Sequence, residues 1–174
     1  MKPIQLQTIE PKTYLIDSVL DVRPVIEIKL LHPDAKVPQY ATQGSAAVDL
    51  CACAIPTVWQ AQNVIFPGQS AKFRTGIAVN INNPNIVGLL DGRSGLGFKR
   101  GIRLSNCVGI IDSDYQGEII VSLHNDSDEI YYINKGDRIA QLLFVPVIQP
   151  NFMVVSEFST ETERGVNGIR SSGK

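Results

Sequence analysis

The chain has little of what staples small secreted domains or builds metal cages: its 174 residues include three cysteines and two histidines. An odd cysteine count excludes a fully paired disulfide framework and fits a reducing compartment. Cys51 and Cys53 stand two apart on a predicted strand, hence on one side of it. A metal centre there would have only His32 and His124 to recruit, so the thiols read more simply as small buried hydrophobes. Charge of one sign is also missing. Sixteen Lys and Arg stand against 17 Asp and Glu, a net charge of −1. No global field draws a polyanion and no basic stripe follows a backbone, which excludes nucleic acid as a partner. No apolar run is long enough to cross a bilayer, which leaves out a membrane partner. The opening MKPIQLQTIE lacks the continuous apolar core of a signal peptide. The expected location is cytoplasmic.

What is present is period-two patterning. In KFRTGIAVNI, Phe73, Thr75, Ile77, Val79 and Ile81 share one face, with Lys72, Arg74 and Asn80 opposite. In EIIVSLHN, Ile119, Val121 and Leu123 alternate with Glu118, Ser122 and His124. Turn signals recur at short intervals (FPGQ, NNPN, DGRSG, NDSD, NKGD). Many short strands so spaced predict an all-β sandwich or barrel. One short helix is expected near 94–100, with Ser94 as N-cap. The stretch RIAQLLFVPVI (138–148) is apolar on both faces, so a second cover is expected, and another subunit would supply it. Three regions follow: an N-terminal extension over 1–24, a β domain over 25–158, and a polar, Gly/Ser-rich tail over 159–174.

Several short stretches combine residues suited to chemistry. In DGRSGLGFKRG (91–101), glycines flank an Arg-Ser pair just before the predicted helix. Such a stretch can cradle an anion through Arg93, Ser94 and backbone amides, or it can be a plain β-turn. It is not a Walker A loop, which has a different glycine spacing. GSAAVDLCA (44–52) sets Asp49 among small and apolar residues, where a turn-capping role is equally open. In KGDRIAQ (135–141), Asp137 and Arg138 read as surface charge, and Gln141 interrupts an apolar run where its amide needs a partner, from structure or from a ligand. RGVNGIRSSGK (164–174) offers Arg164, Arg170, Ser171 and Ser172 on a chain able to close over a polyanion. GIIDSDYQGEI (109–119) follows two β-branched residues with two carboxylates two apart, the place for a turn, a metal or a water awaiting deprotonation.

The order and spacing of GSAAVDL, GRSGLG, NCVGIIDSDYQGEI, GDRIAQLLF and RGVNGIRSSG resemble the homotrimeric dUTP diphosphatase (dUTPase) family, from about Tyr40 to the end of the chain. The resemblance implies a jelly-roll-like β-fold, assembled as a homotrimer whose chains share active sites. It implies hydrolysis of dUTP to dUMP and pyrophosphate, which lowers dUTP and supplies dUMP for thymidylate synthesis. Asp112 would be the general base that activates water. Tyr115 would pack against the deoxyribose, and Asn106 would read the uracil edge with main-chain groups around Val108 and Ile111 in a narrow hairpin pocket. Arg93, Ser94, Gly95 and Gln141 would take the phosphates, with Arg164, Ser171 and Ser172 closing from the tail. Mg2+ would be chelated by the triphosphate, with Asp49 reaching it through water. The family usually has Pro where Gly92 stands, Gly where Ala47 stands, and a Gly-Gly-Phe-Gly run where this chain has Asn167-Gly168-Ile169-Arg170. Ile169 would cover the base by apolar contact rather than by ring stacking. Two rivals belong to other classes: a related dCTP deaminase, which needs a glutamate near the pyrimidine C4, and a non-catalytic nucleotide-binding or regulatory module.

Overall fold

The period-two segments become the long central strands of two sheets. The computed structural model describes residues 24–53 and 63–166. Expectations for 1–23 and for Asn167, Ile169, Arg170, Ser171 and Ser172 lie outside the described residues. In chain order the elements are β1 (Glu27–Leu30), β2 (Val48–Cys51), β3 (Val64–Ile65), β4 (Ser70–Asn80), β5 (Ile86–Asp91), α1 (Ser94–Arg100), β6 (Ile102–Leu104), β7 (Gly109–Ile111), β8 (Glu118–Asn125), β9 (Tyr131–Tyr132) and β10 (Arg138–Pro146). One four-stranded sheet runs β1-β4-β8-β6, the other β2-β10-β5-β7, and β3 pairs with β9. The pairings are antiparallel. This is the expected all-β architecture with a single short helix among the described residues.

Alternation sets the core. Ile119, Val121 and Leu123 of β8 and Ile77 and Val79 of β4 meet Leu50, Leu90 and Leu142 of the opposite sheet in one cluster. Full burial of each such side chain contributes about 1.5–3 kcal/mol. Asn125 is buried at the end of β8 and satisfied: its Nδ2 donates to Ile65 O and Glu129 O, and its Oδ1 accepts from Ser127. The outer face of the second sheet is different. Leu143, Leu89 and Ile110 are register partners in one row, and none of the three is buried. The expectation for 138–148 is therefore met on the inner face, while the described residues leave the outer face half-buried to exposed.

Two local features depart from simple alternation. β4 carries a bulge between Arg74 and Ala78 against β8. Gly76 sits there at φ +70°, and a Cβ would stand 2.8 Å from Ala35 Cβ and 3.0 Å from Cys53 Sγ. The Glu118 carboxylate closes the bulge, accepting from Gly76 N at 2.8 Å and pairing with Arg74. The second departure is the helix start. Ser94 is the first helical residue rather than the N-cap; Arg93 takes the cap position with no side-chain cap bond, because a guanidinium carries only donors and cannot accept from the helix amides. Gly101, left-handed at φ 65°, ends the helix after Lys99 and Arg100.

Candidate functional site

Asp49 on β2, Gln141 on β10 and Asp91 on β5 are register partners in one row across three strands. Directly opposed side chains share a face, so this row gathers at the end of β5 where the chain turns into α1. Arg93 Nε donates to Asp49 Oδ1 at 2.8 Å, and Arg138 Nη1 donates to Asp49 Oδ2 at 3.1 Å. Arg93 Nη1 also donates to Arg138 O at 3.0 Å. Gln141 Nε2 donates to Gly92 O at 2.9 Å, which answers what its amide needed in the apolar run. The result is a planar cation held on a fixed bearing. Ser94 and Gly95 lie exposed beside it, at the start of α1, where the first amides have no intrahelical acceptor. The assembly suits a phosphate anion.

Arg138 is the member that sequence reasoning missed. Asp137 and Arg138 are not a mutual surface pair: Asp137 Oδ2 accepts from Asn134 N, and Arg138 reaches across to Asp49. Nothing in the spacing of residues 49 and 138 announced it.

Among the described residues β7 forms the edge of its sheet, with one side paired to β5 and the other open. Its outer edge therefore presents main-chain donors and acceptors beside exposed Val108 and Asn106. Asn106 Nδ2 lies 3.6 Å from where a Gly109 Cβ would stand, folded over the start of the strand. The intervening Cys107 is left-handed at φ 64°. The narrow hairpin expected here is not formed by the flanking strands, because β6 and β7 belong to different sheets and the turn crosses between them. The Ile111 side chain is buried in the core, so only its main chain can meet a ligand.

Beyond Ile111 the chain crosses back to the first sheet through Asp112–Gly117. Tyr115 N donates to Asp112 O at 3.1 Å, closing a turn, and Asn82 N donates to Ser113 O at 3.0 Å. Gln116 Nε2 reaches Asn80 Oδ1 at 3.1 Å. The turn is thus tied to β4 and to the loop after it. Asp112 is exposed, and no hydrogen bond or ion pair among the described residues engages its carboxylate. Asp114 is likewise exposed.

Within one chain these groups do not converge. Asp112 follows Ile111, the partner of Gly88 near the start of β5, whereas Arg93 follows the far end of β5 at Asp91. The separation is about 14 Å along the strands, and Asp49 lies three strand spacings of about 4.8 Å away across the sheet. Two of the grooves among the described residues measure about 680 Å3, between α1 and the loop after β8, and about 580 Å3, beside β1. Neither is lined by Arg93 or Asp112. Arg164 lies exposed in a turn where Gly165 N donates to Thr162 O.

The thiols separate by environment. Cys53 is buried with His32 Nδ1 3.5 Å from its sulfur, and burial pushes its pKa up. Cys51 is half-buried, so the reading of this pair as buried hydrophobes holds fully for Cys53 and in part for Cys51; Cys107 is exposed on its turn. Among the described residues no three His, Cys, Asp or Glu side chains gather as a metal cage, and no helix is long and apolar enough to cross a membrane.

Fold and cluster together define a class: an all-β, jelly-roll-like protein that holds an arginine fixed by a carboxylate at one end of a sheet and, among the described residues, a carboxylate without a partner beyond the other end. A protein-family model named dUTPase matches residues 33–173. A deoxyuridine 5'-triphosphate nucleotidohydrolase from Hydrogenovibrio crunogenus is 44% identical over 152 residues, covering 85% of this chain and 96% of the relative. One from Actinobacillus pleuropneumoniae is 49% identical over 138 residues, covering 79% and 87%. Among solved structures, a mutant Staphylococcus bacteriophage 80alpha dUTPase with dUpNHpp superposes with TM-score 0.74 at 29% identity, covering 87% of this chain and all of that one. A mutant dUTPase from phage phi11 of S. aureus, described as coordinating a structural Mg(II) ion, gives 0.68 at 26% identity, covering 78% and 99%. The chain belongs to the dUTPase family.

Proposed function

We propose that Asp112 is the general base of this enzyme. As a dUTPase the chain hydrolyses dUTP to dUMP and pyrophosphate. The supporting observation is the free, exposed carboxylate of Asp112 on a turn anchored by Asn82 and Gln116. A carboxylate with no guanidinium beside it keeps its lone pairs for a water. Asp112 takes a proton from that water as its oxygen bonds to the α-phosphorus; the bond to the bridging oxygen breaks, and pyrophosphate leaves with the electron pair. Arg93, aimed by Asp49 and supported by Gln141 through the Gly92 carbonyl, balances charge on the phosphate oxygens. Ser94 and Gly95 donate to the same oxygens. Asn106 and the open edge of β7, between Val108 and Ile111, read the uracil, and Tyr115 packs on the deoxyribose. From the tail, Arg164, Ser171 and Ser172 close over the phosphates and Ile169 covers the base, in keeping with the division into 1–24, 25–158 and 159–174.

Mg2+ fits this chain as a substrate-bound ion. Both Asp49 oxygens already accept from arginines, which favours contact through water over direct ligation, and a hydrated Mg2+ tolerates that arrangement. When bound, the ion neutralises triphosphate charge and fixes its conformation. The assembly is a homotrimer with shared sites. Three features support it: the distance between Asp112 and Arg93 within one chain, the Leu143–Leu89–Ile110 row, which the described residues bury only in part, and residues 147–158, which form no helix or strand. In that last stretch Ile148, Phe152, Met153, Val154 and Phe158 stand at least 83% exposed. The location is cytoplasmic, where free thiols persist and deoxynucleotides are pooled.

Pyrophosphate release, measured on dUTP, dCTP and dTTP together with ammonia release from dCTP and light scattering, tests the whole reading. The expected result is turnover of dUTP alone, no ammonia, and a particle of three chains. Ammonia from dCTP would favour the deaminase, no turnover would favour a binding module, and an active monomer would remove the shared site.

A further inference from the structure

Gly117 has no conformational reason to be glycine. The five described glycines with positive φ are Gly68, Gly76, Gly101, Gly136 and Gly165, so the backbone at 117 is one that alanine adopts. Space is the reason instead. A Cβ there would stand 2.5 Å from Tyr115 Oη, 2.6 Å from Cζ and 2.9 Å from Cε2. The phenol ring lies folded back across residue 117, and its hydroxyl donates to Glu118 O at 3.0 Å. The ring is therefore fixed at two points, by the bare Cα of Gly117 beneath it and by a main-chain acceptor at its tip. That acceptor is itself immobile, because the Glu118 side chain is locked to Gly76 N and Arg74 across the β4 bulge.

Building on the reading that Tyr115 packs on the deoxyribose, we propose that Gly117 is a specificity-determining residue for the sugar. By carrying no side chain it lets the Tyr115 ring lie close against the turn, at the depth that accommodates a C2′ methylene and excludes a 2′-hydroxyl. A side chain at 117 displaces the ring, which can swing about its own χ1 without unfolding the strand. The pocket then loses its shape while Asp112 and the arginine cluster stay in place.

The test is a double-mutant cycle on Gly117→Ala and Tyr115→Ala, with kcat and KM measured for dUTP and for UTP in the full chain. Gly117→Ala is expected to cut the dUTP-over-UTP preference in kcat/KM by about tenfold, with most of the dUTP effect in KM. In the Tyr115→Ala background the same substitution is expected to do nothing further, since no ring remains to displace. Tyr115→Phe, which keeps the ring and loses only its tether to Glu118 O, is expected to fall between. An unchanged preference in Gly117→Ala, or equal losses from Gly117→Ala with and without the ring, would overturn the proposal. A Tyr115→Ala variant with undiminished preference would instead overturn the sugar reading on which it rests.

Discussion

Asp49 on β2 and Asp112, just past the end of β7, flank one sheet in opposite states. Asp49 is held by two guanidiniums and lies opposite Gln141 in the ladder; Asp112 sits on an exposed turn with its carboxylate unengaged by the described residues. One carboxylate spends both oxygens on holding two arginine side chains, and the other has no such partner among the described residues. The comparison shows that a motif aspartate is assigned by its partners rather than by its neighbours in sequence. Both follow β-branched residues, Val48 and Ile111, yet among the described residues one carboxylate meets two guanidiniums and the other none.

The contrast is broken most severely at Asp112. Asp112→Asn preserves shape and removes the base, and turnover is expected to fall by about 10²–10⁴-fold with dUTP binding nearly unchanged; single-turnover kinetics and equilibrium titration separate the two effects. At Asp49 the expected loss is smaller and of another kind. Asp49→Asn leaves Arg93 and Arg138 without a charged anchor, so kcat/KM for dUTP is expected to drop by about tenfold, chiefly through KM. If kcat alone fell, Asp49 would be acting on the reacting centre and the division of labour would fail. A third carboxylate sharpens the point with the smallest effect. The hydrogen bond from Arg103 holds Asp126 below the usual carboxylate range. A group depressed on folding contributes stability that is present above its unfolded pKa and is lost as pH falls through the folded one. Asp126→Asn is therefore expected to lower Tm by no more than about 2 °C at neutral pH, to converge with the parent in strong acid, and to leave kcat unchanged.

Much of this fold is legible in the order of residues, and the reasons it stops being so are specific. Ile119, Val121 and Leu123 alternate cleanly and are buried. The helix falls on Ser94–Arg100 because glycine at 101 ends it. The β4 bulge breaks the same logic, since it depends on Glu118, more than forty residues away along the chain, closing on Gly76. The assignment of β6 and β7 to separate sheets is also hidden, because a four-residue turn between short apolar runs looks the same whether it folds a hairpin or crosses a sandwich. In the site, the resemblance supplied the residues; the bond of Arg138 to Asp49 and the ring of Tyr115 over Gly117 are facts of register and rotamer that no spacing encodes.

The crowding around Gly76 bears on the history of the chain. Any other residue at 76 meets two obstacles at once, a left-handed backbone and two side chains already in contact range of its Cβ. Shrinking Ala35 to glycine would clear one contact and leave Cys53 and the backbone strain. No single compensating substitution opens the position, so glycine at 76 is expected to persist wherever this bulge is kept.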